Sequence, residues 1–252
     1  VIERDSIALT WLQRLRLPAV AVDPSTLGEE VAEYHRVGTS TELETHLFDA
    51  TTDYGVPTLY AVQTSQVDPE LAQVVAATCD IDPQRALAKI YRELASLRIA
   101  LRSHARGPRA QEIKGQDLTV VGGALADADL SMRHVFDFLL EGERPVHALD
   151  EIGALPASRP GAGGSDSPDP LEQVVANLER AGAEAIVVDI TTDEARQVGM
   201  HVIKALIPEA MPLSFSHHAR YLATHRLYQA PRAMGLTVHD ESGINPVRQP
   251  FA

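Results

Sequence analysis

Only one cysteine, Cys79, occurs in the 252 residues, so no disulfide can close within the chain. A reducing compartment, the cytoplasm, is the expectation. Long apolar runs are also missing. No stretch approaches the roughly 18 apolar residues that a membrane-crossing helix needs, and no membrane partner is expected. Positive charge is scarce: 22 Lys and Arg face 35 Asp and Glu, a formal net charge of −13. A field of that sign repels nucleic-acid phosphates and anionic membrane surfaces, so no nucleic-acid partner is expected either. It does not exclude a nucleotide, because a triphosphate arrives with magnesium and that metal takes carboxylates. The chain opens on Val-Ile-Glu-Arg-Asp, with no initiator Met and no signal-peptide pattern. The expectation is a piece from the middle of a larger protein.

Several chemical signatures are absent as well. Neither GxGxxG nor GxxxxGK[ST] occurs, so a Rossmann or P-loop nucleotide site is not expected. The pair Gly122-Gly123 after Val121 is too short for a phosphate loop and reads as a turn. There is no CxxC or HExxH, and adjacent histidines such as His217 and His218 rarely chelate one ion, so a zinc site is not expected. Without a GxSxG elbow nothing supports Ser-His-Asp chemistry, although the absence alone leaves it open.

What is present suits a globular protein with a sizeable core: 44% hydrophobic and 23% charged residues are ordinary values. Residues 2–17 read as an amphipathic helix with a stripe of Ile7, Leu9, Trp11, Leu12 and Leu15, stopped by Pro18. Residues 47–63 read as strand, turn and strand, the turn marked by Asp53 and Gly55. The clearest helix spans 82–103, with Asp82 as N-cap, Pro83 at the first position, and Ala86, Leu87, Ile90, Leu94, Leu97 and Leu101 at helical spacing. Further helices are expected over 129–141 and over 169–181, the latter closed by Gly182. The Gly-, Pro- and Ser-rich stretch 153–170 reads as a flexible loop rather than a domain boundary. Residues 184–208 read as strand, turn, short helix and strand, and their DITTD (189–193) repeats the earlier DATTD (49–53). In each copy a β run enters the motif, and a glycine, Gly55 or Gly199, precedes the next β run. The matching flanks favour an internal repeat of one supersecondary unit over two DxTTD turns that coincide by chance. The fold class is therefore α/β, a mixed sheet with packed helices and a repeated strand–turn–strand unit.

Three clusters carry candidate chemistry. Glu3-Arg4-Asp5 heads a helix, where carboxylates favourably meet the positive helix end; an acid beside an arginine can also hold Mg²⁺ with a phosphate. Spacing alone favours capping. Lys89, Glu93, Ser96, Arg98 and Arg102 lie on the 82–103 helix, with Lys89 and Glu93 at i,i+4. Spacing alone favours a solvated face with ion pairs worth a few tenths of a kcal/mol. In the third, the histidine-rich stretch from His217 to Arg232, Arg220 and Arg226 can meet phosphate or a substrate carboxylate, and spacing alone equally allows a surface role.

Taken in order, these segments resemble the YcaO family. ERDSIALTWLQRLRLPAV is similar to the end of the family's SxxxExxER motif running into a helix, with Glu3 and Arg4 as its final ER. DATTDYGVPTLYAV resembles D-x-T-x-D-x-G-[IV]-P. DPQRALAKIYRELASLRIAL resembles A-L-x-[RK]-A-L-x-E-x-x-Q-x-R, placing Lys89, Glu93 and Arg98 on matching positions. VVDITTDEARQVGMHVIKALIPEAMPLSF resembles D-x-T-x-x-[DE]-x-x-x-x-G-x-x-V-x-[KR]-x-x-x-P-G. Each motif is weak alone; four in register over nearly the whole chain are specific. Ser96 stands where the family commonly has Gln, and Glu209 where Gly is usual. Of the Pro-rich PxPxP tail common in azoline-forming members, Pro246 and Pro250 remain.

The resemblance implies that residues 1–252 form the C-terminal portion of a YcaO domain binding ATP and Mg²⁺. Glu3 and Glu93 would be metal ligands, Arg4 and Arg98 would touch phosphate, and Lys89 would join the ATP site. The family's reaction begins when a neighbouring nucleophile attacks a backbone carbonyl; ATP turns the resulting oxygen into a phosphate ester that can leave. Cys, Ser or Thr gives an azoline, an amine an amidine, and sulfide a thioamide. The leading expectation is cyclodehydration of a ribosomally made precursor peptide. The alternatives are a macroamidine- or thioamide-forming enzyme and a degenerate, non-catalytic subunit that binds peptide or partner. The implied partners are the precursor peptide, a leader-binding protein (TfuA-like or other) and a second copy in a homodimer.

Overall fold

Residues 1–105, 120–153, 169–214 and 216–251 are described by the computed structural model. Helix α1 (Ile2–Gln13) is buried at every position from Asp5 onward, so it runs through the core rather than along it on one stripe. It stops well before Pro18, because Arg14 turns left-handed at φ 48° and its N–H reaches back to the carbonyls of Thr10 and Trp11. Leu15 and Leu17 enter the core from the extended segment that follows.

The main sheet is built from β1 (Ala19–Ala21), β2 (Leu43–Asp49), β3 (Thr58–Ser65), β4 (Gln73–Cys79) and β5 (Val146–Ala148), in the order β4-β3-β2-β1-β5. Neighbours are antiparallel except β1 and β5, so the sheet is mixed. Strand β3 is buried at all its positions, which requires cover on both faces. On one face Tyr60 and Val62 meet Trp11 and Leu12 of α1 and Phe136. On the other, Leu59 and Ala61 meet Leu87, Ile90 and Leu94 of α3 (Pro83–Ala105). Helix α2 (Glu29–Thr39), between β1 and β2, packs on α3.

Helix α3 starts as its sequence requires, Asp82 accepting the Gln84 N–H at 2.9 Å. Two expectations fail after it. Gly122 and Gly123 lie inside a helix, α4 (Val120–Ala128), not in a turn. The reason is a close approach: a Cβ on Gly123 would stand 2.9 Å from the Gln249 carbonyl oxygen of the C-terminal tail. Over 129–141 the chain forms a 3-10 turn, Leu130–Phe136, and only a short helix, α5 (Asp137–Leu140). Most of the stretch read as a flexible loop, 154–168, lies outside the described residues. Helix α6 (Pro170–Arg180) follows, capped by Asp169 and ended near Gly182 at φ 76°.

The repeat is visible residue by residue. Asp49 ends β2 and accepts the Thr51 N–H at 3.0 Å; Asp189 ends β6 (Ile186–Asp189) and accepts the Thr191 N–H at 2.8 Å. Thr52 and Thr192 then bond the next turn through their hydroxyls, and Gly55 and Gly199 take φ of 67° and 71° before the returning strands β3 and β7 (Ile203–Leu206). In the second copy the short helix α7 (Asp193–Gln197) fills the connection, and β6–β7 stand as a separate two-stranded sheet. Helix α8 (His225–Ala233) leads to the tail.

Candidate functional site

A cavity of about 390 Å³ opens between the head of α1, the middle of α3, Gly123 of α4 and the tail. Glu3 and Arg4 enter it from α1 and Glu93 from α3. The last stretch of chain supplies Ser214, His217, Arg220, Arg248 and Phe251, while Trp11 and Leu97 give apolar wall. The volume is in the range of small-molecule sites.

Several of these groups are held by identifiable bonds. Glu3 Oε2 accepts the Cys79 backbone N–H at 3.1 Å, at the end of β4. Burial raises its pKa above the usual carboxylate value; that N–H and the Lys89 charge pull the other way, and the Glu93 charge adds to the rise. Two carboxylates that feel one another in a half-buried cavity are a place where a cation gains. Lys89 itself donates to the Cys79 carbonyl at 2.7 Å and pairs with Asp80 at 3.6 Å. The i,i+4 pair with Glu93 expected from spacing is thus replaced by contacts at the strand end, and Glu93 is left to the cavity. Arg220 Nη1 donates to the Asn245 carbonyl at 2.7 Å, fixing the tail as wall. Trp11 Nε1 donates to the Val247 carbonyl at 3.1 Å, and Asn245 bonds both the Leu12 carbonyl and the Trp11 carbonyl.

Of the five expected residues, Glu3, Arg4 and Glu93 meet in one cavity, and Lys89 lies directly behind Glu3. Arg98 does not join them. It is buried on the other side of α3, its guanidinium on the Gln63 side chain at 2.6 Å, the Leu71 carbonyl at 3.0 Å and the Gln63 carbonyl at 3.1 Å. Burial lowers its pKa to about 10, and it is not among the residues that line the cavity. Ser96 is exposed and outside the cavity lining. Arg226, expected to meet phosphate or a substrate carboxylate or to lie on the surface, does neither: it is buried on two carboxylates of the chain itself, Asp5 and Asp53. Arg248, Trp11 and Phe251 were not legible as site residues, because only the fold of the tail against α1 brings them in.

Among the described residues no group of three or more His, Cys, Asp or Glu could hold a metal by itself. The donor set present, two carboxylates with arginines nearby, fits magnesium carried on a polyphosphate, since Mg²⁺ keeps most of its waters and takes one or two protein carboxylates plus phosphate oxygens. Arg4 and Arg220 line the same cavity and bring positive charge to it.

A family model described as YcaO cyclodehydratase, ATP- and Mg²⁺-binding, matches residues 1–211. No curated protein matches the chain. Among solved structures, a heterocyclase in complex with substrate and cofactor aligns at TM-score 0.69 and 21% identity, covering 99% of this chain and 30% of the other. The heterocyclase TruD aligns at 0.65 and 21%, covering 99% and 31%. YcaO from Methanopyrus kandleri, bound with AMPPCP and Mg²⁺, aligns at 0.53 and 19%, covering 83% and 50%. At these identities the likeness is one of fold, and the chain spans about a third of the first two proteins and half of the third. Among the described residues no helix is long and apolar enough to cross a membrane.

Proposed function

We infer the protein's chemistry from one premise: the chain belongs to the YcaO family. The activity it supports best is ATP-dependent activation of a peptide backbone amide oxygen, leading to cyclodehydration of Cys, Ser or Thr in a ribosomally made precursor peptide. One observation carries it. Glu3 and Glu93, on separate helices and distant in sequence, open with Arg4 onto the same cavity.

ATP with Mg²⁺ supplies the phosphoryl group that makes the amide oxygen a leaving group. The chain supplies position and charge. Glu3, oriented by the Cys79 N–H, and Glu93 would hold the metal; Arg4 and Arg220 would meet phosphate oxygens. Lys89 restrains Glu3 through its charge and through its bond to the Cys79 carbonyl, on the residue whose N–H holds Glu3. The role for Arg98 is structural: it ties α3 to β3 and to the Leu71 carbonyl. Val247 to Phe251 close one wall and limit water near the phosphates. The bound forms of the solved neighbours, AMPPCP with Mg²⁺ in one and substrate with cofactor in another, support this reading. A peptide substrate follows from the same likeness, and a leader-binding partner protein and a homodimer remain part of the proposal.

Mass spectrometry of the precursor peptide after incubation with the full-length protein, ATP and Mg²⁺ tests it. Loss of one water per modified residue is expected, with fragmentation placing a ring at Cys, Ser or Thr. Exchange of oxygen for sulfur would assign thioamide formation instead, and water loss traced to an amine would assign an amidine. An unmodified peptide with no ATP consumed would leave the degenerate-subunit reading.

A further inference from the structure

The turn of α1 that carries Glu3 and Arg4 also carries Asp5, which points the other way. Asp5 is fully buried, and Arg226 of α8 grips it with both ends of its fork, Nε to Oδ1 at 2.6 Å and Nη2 to Oδ2 at 2.7 Å. The same guanidinium reaches Asp53 of the first DxTTD turn at 2.8 Å and 3.3 Å. It lies over the Tyr54 ring, 3.6 Å from the centroid. The Met211 N–H adds a bond to Asp5 Oδ1 at 2.7 Å, and Ser6 Oγ donates to the Ala50 carbonyl at 2.6 Å. Three chain segments far apart in sequence are thereby joined at one helical turn.

We infer that Arg226, backed by Asp53, is a positioning residue: its two-pronged grip on Asp5 sets the rotation of α1 and so aims Glu3 and Arg4 into the cavity. The inference rests on the reading of that cavity as the ATP–Mg²⁺ site.

The geometry explains why a charged grip is used. Successive helical residues are about 100° apart, so Asp5 and Glu3 face roughly opposite sides, and fixing one fixes the other. A rotation of about 20° would swing a side-chain tip on a helix of about 5–6 Å radius by roughly 2 Å, enough to misplace a metal ligand. Well-packed apolar side chains often stabilise a core as well as a buried ion pair does. What the bidentate pair adds is direction, because a guanidinium and a carboxylate meet in one plane and one register. Arg226 touches no reacting atom; it acts through Asp5.

The test compares Asp53→Asn and Arg226→Lys with Leu178→Ala, which removes a buried side chain packed with Tyr54 but no charge. In each protein, backbone hydrogen exchange is followed at Asp5, Ser6 and Cys79, whose N–H bonds Glu3, and binding of Mg²⁺–AMPPCP is measured by calorimetry. Arg226→Lys, which replaces the fork by a single ammonium, is expected to speed Cys79 exchange and weaken binding, each about tenfold or more; Asp53→Asn, which keeps the Asp5–Arg226 pair and should melt cooperatively, is expected to move both in the same direction by a smaller factor. Leu178→Ala is expected to lower the melting temperature at least as far while changing neither. Wild-type exchange at Cys79 in both charge variants overturns the inference. So does weakened binding without faster Cys79 exchange, because the effect then does not run through Glu3. If the unsubstituted protein fails to bind Mg²⁺–AMPPCP, the ATP reading fails, and the exchange rates alone decide the role of Arg226.

Discussion

The two DxTTD turns have the same local chemistry and opposite surroundings. In the first, Asp49 ends a strand of the main sheet, its partner across the ladder is Leu59, and Asp53 is drawn into the buried pair of Asp5 and Arg226. In the second, Asp189 faces Ile203, and β6 and β7 are exposed at every position. Leu59 is 0% exposed and Ile203 60%. Aspartate at the strand end, threonine hydroxyls and a positive-φ glycine are sufficient to make the turn. They do not decide what covers it. That depends on flanking strands and helices, which the first copy has in β1, β4, α1 and α3 and the second lacks among the described residues.

The sharpest contrast is electrostatic. Arg226→Met should cost about 3–5 kcal/mol in chemical denaturation, because it leaves the buried Asp5 carboxyl without its cationic partner. Arg196→Met, which breaks the exposed pair with Asp189 at 3.3 Å, should leave the denaturation midpoint unchanged. Equal losses would mean that the first turn is no better buried than the second.

Packing gives the next contrast. Leu59→Ala should cost about 2–5 kcal/mol and Ile203→Ala less than about 1 kcal/mol in the same measurement, since one empties a core position and the other trims an exposed one. A large loss at Ile203 would show that the second sheet is covered in solution.

Acid–base behaviour separates the packed half from the exposed hairpin in sign. Burial raises Asp127 to about 7, and its Oδ2 has no hydrogen-bond partner among the described residues. Its native form holds a proton that the unfolded chain releases near the ordinary value of 3.8, so stability falls as pH rises between those values. Asp127→Asn should remove that part of the slope in a pH series of denaturation midpoints. Asp189 is lowered instead, by the Thr191 hydroxyl first and then its N–H. Its contribution is present above the unfolded value and is lost as pH falls through the folded one, a smaller effect confined to acid. A fall in stability between about pH 4 and 7 that is unchanged in Asp127→Asn would refute the assignment.

Local patterns carried much of the fold. The Asp82-Pro83 start of α3, the Asp169 cap of α6 and both DxTTD turns depend on neighbours within a few residues, and the sequence shows those directly. The glycine pair in α4 misled because its cause, the tail carbonyl against Gly123, lies far along the chain. The same distance hid the Asp5–Arg226 pair, and it sent Arg98, on a motif position, into the core. For the site, Glu3, Arg4 and Glu93 were legible only through the resemblance; spacing alone read them as capping and a solvated face. The tail residues became visible only when folded against Trp11.

The claim on which all of this turns is that Glu3 and Glu93 hold one magnesium-bound triphosphate together. Calorimetry of Mg²⁺–ATP binding to the unsubstituted protein, Glu3→Gln, Glu93→Gln and the double variant tests it most directly. Magnesium-dependent binding is expected, with a loss in each single variant that is not additive in the double. Binding that ignores magnesium, or that survives both substitutions, would contradict it.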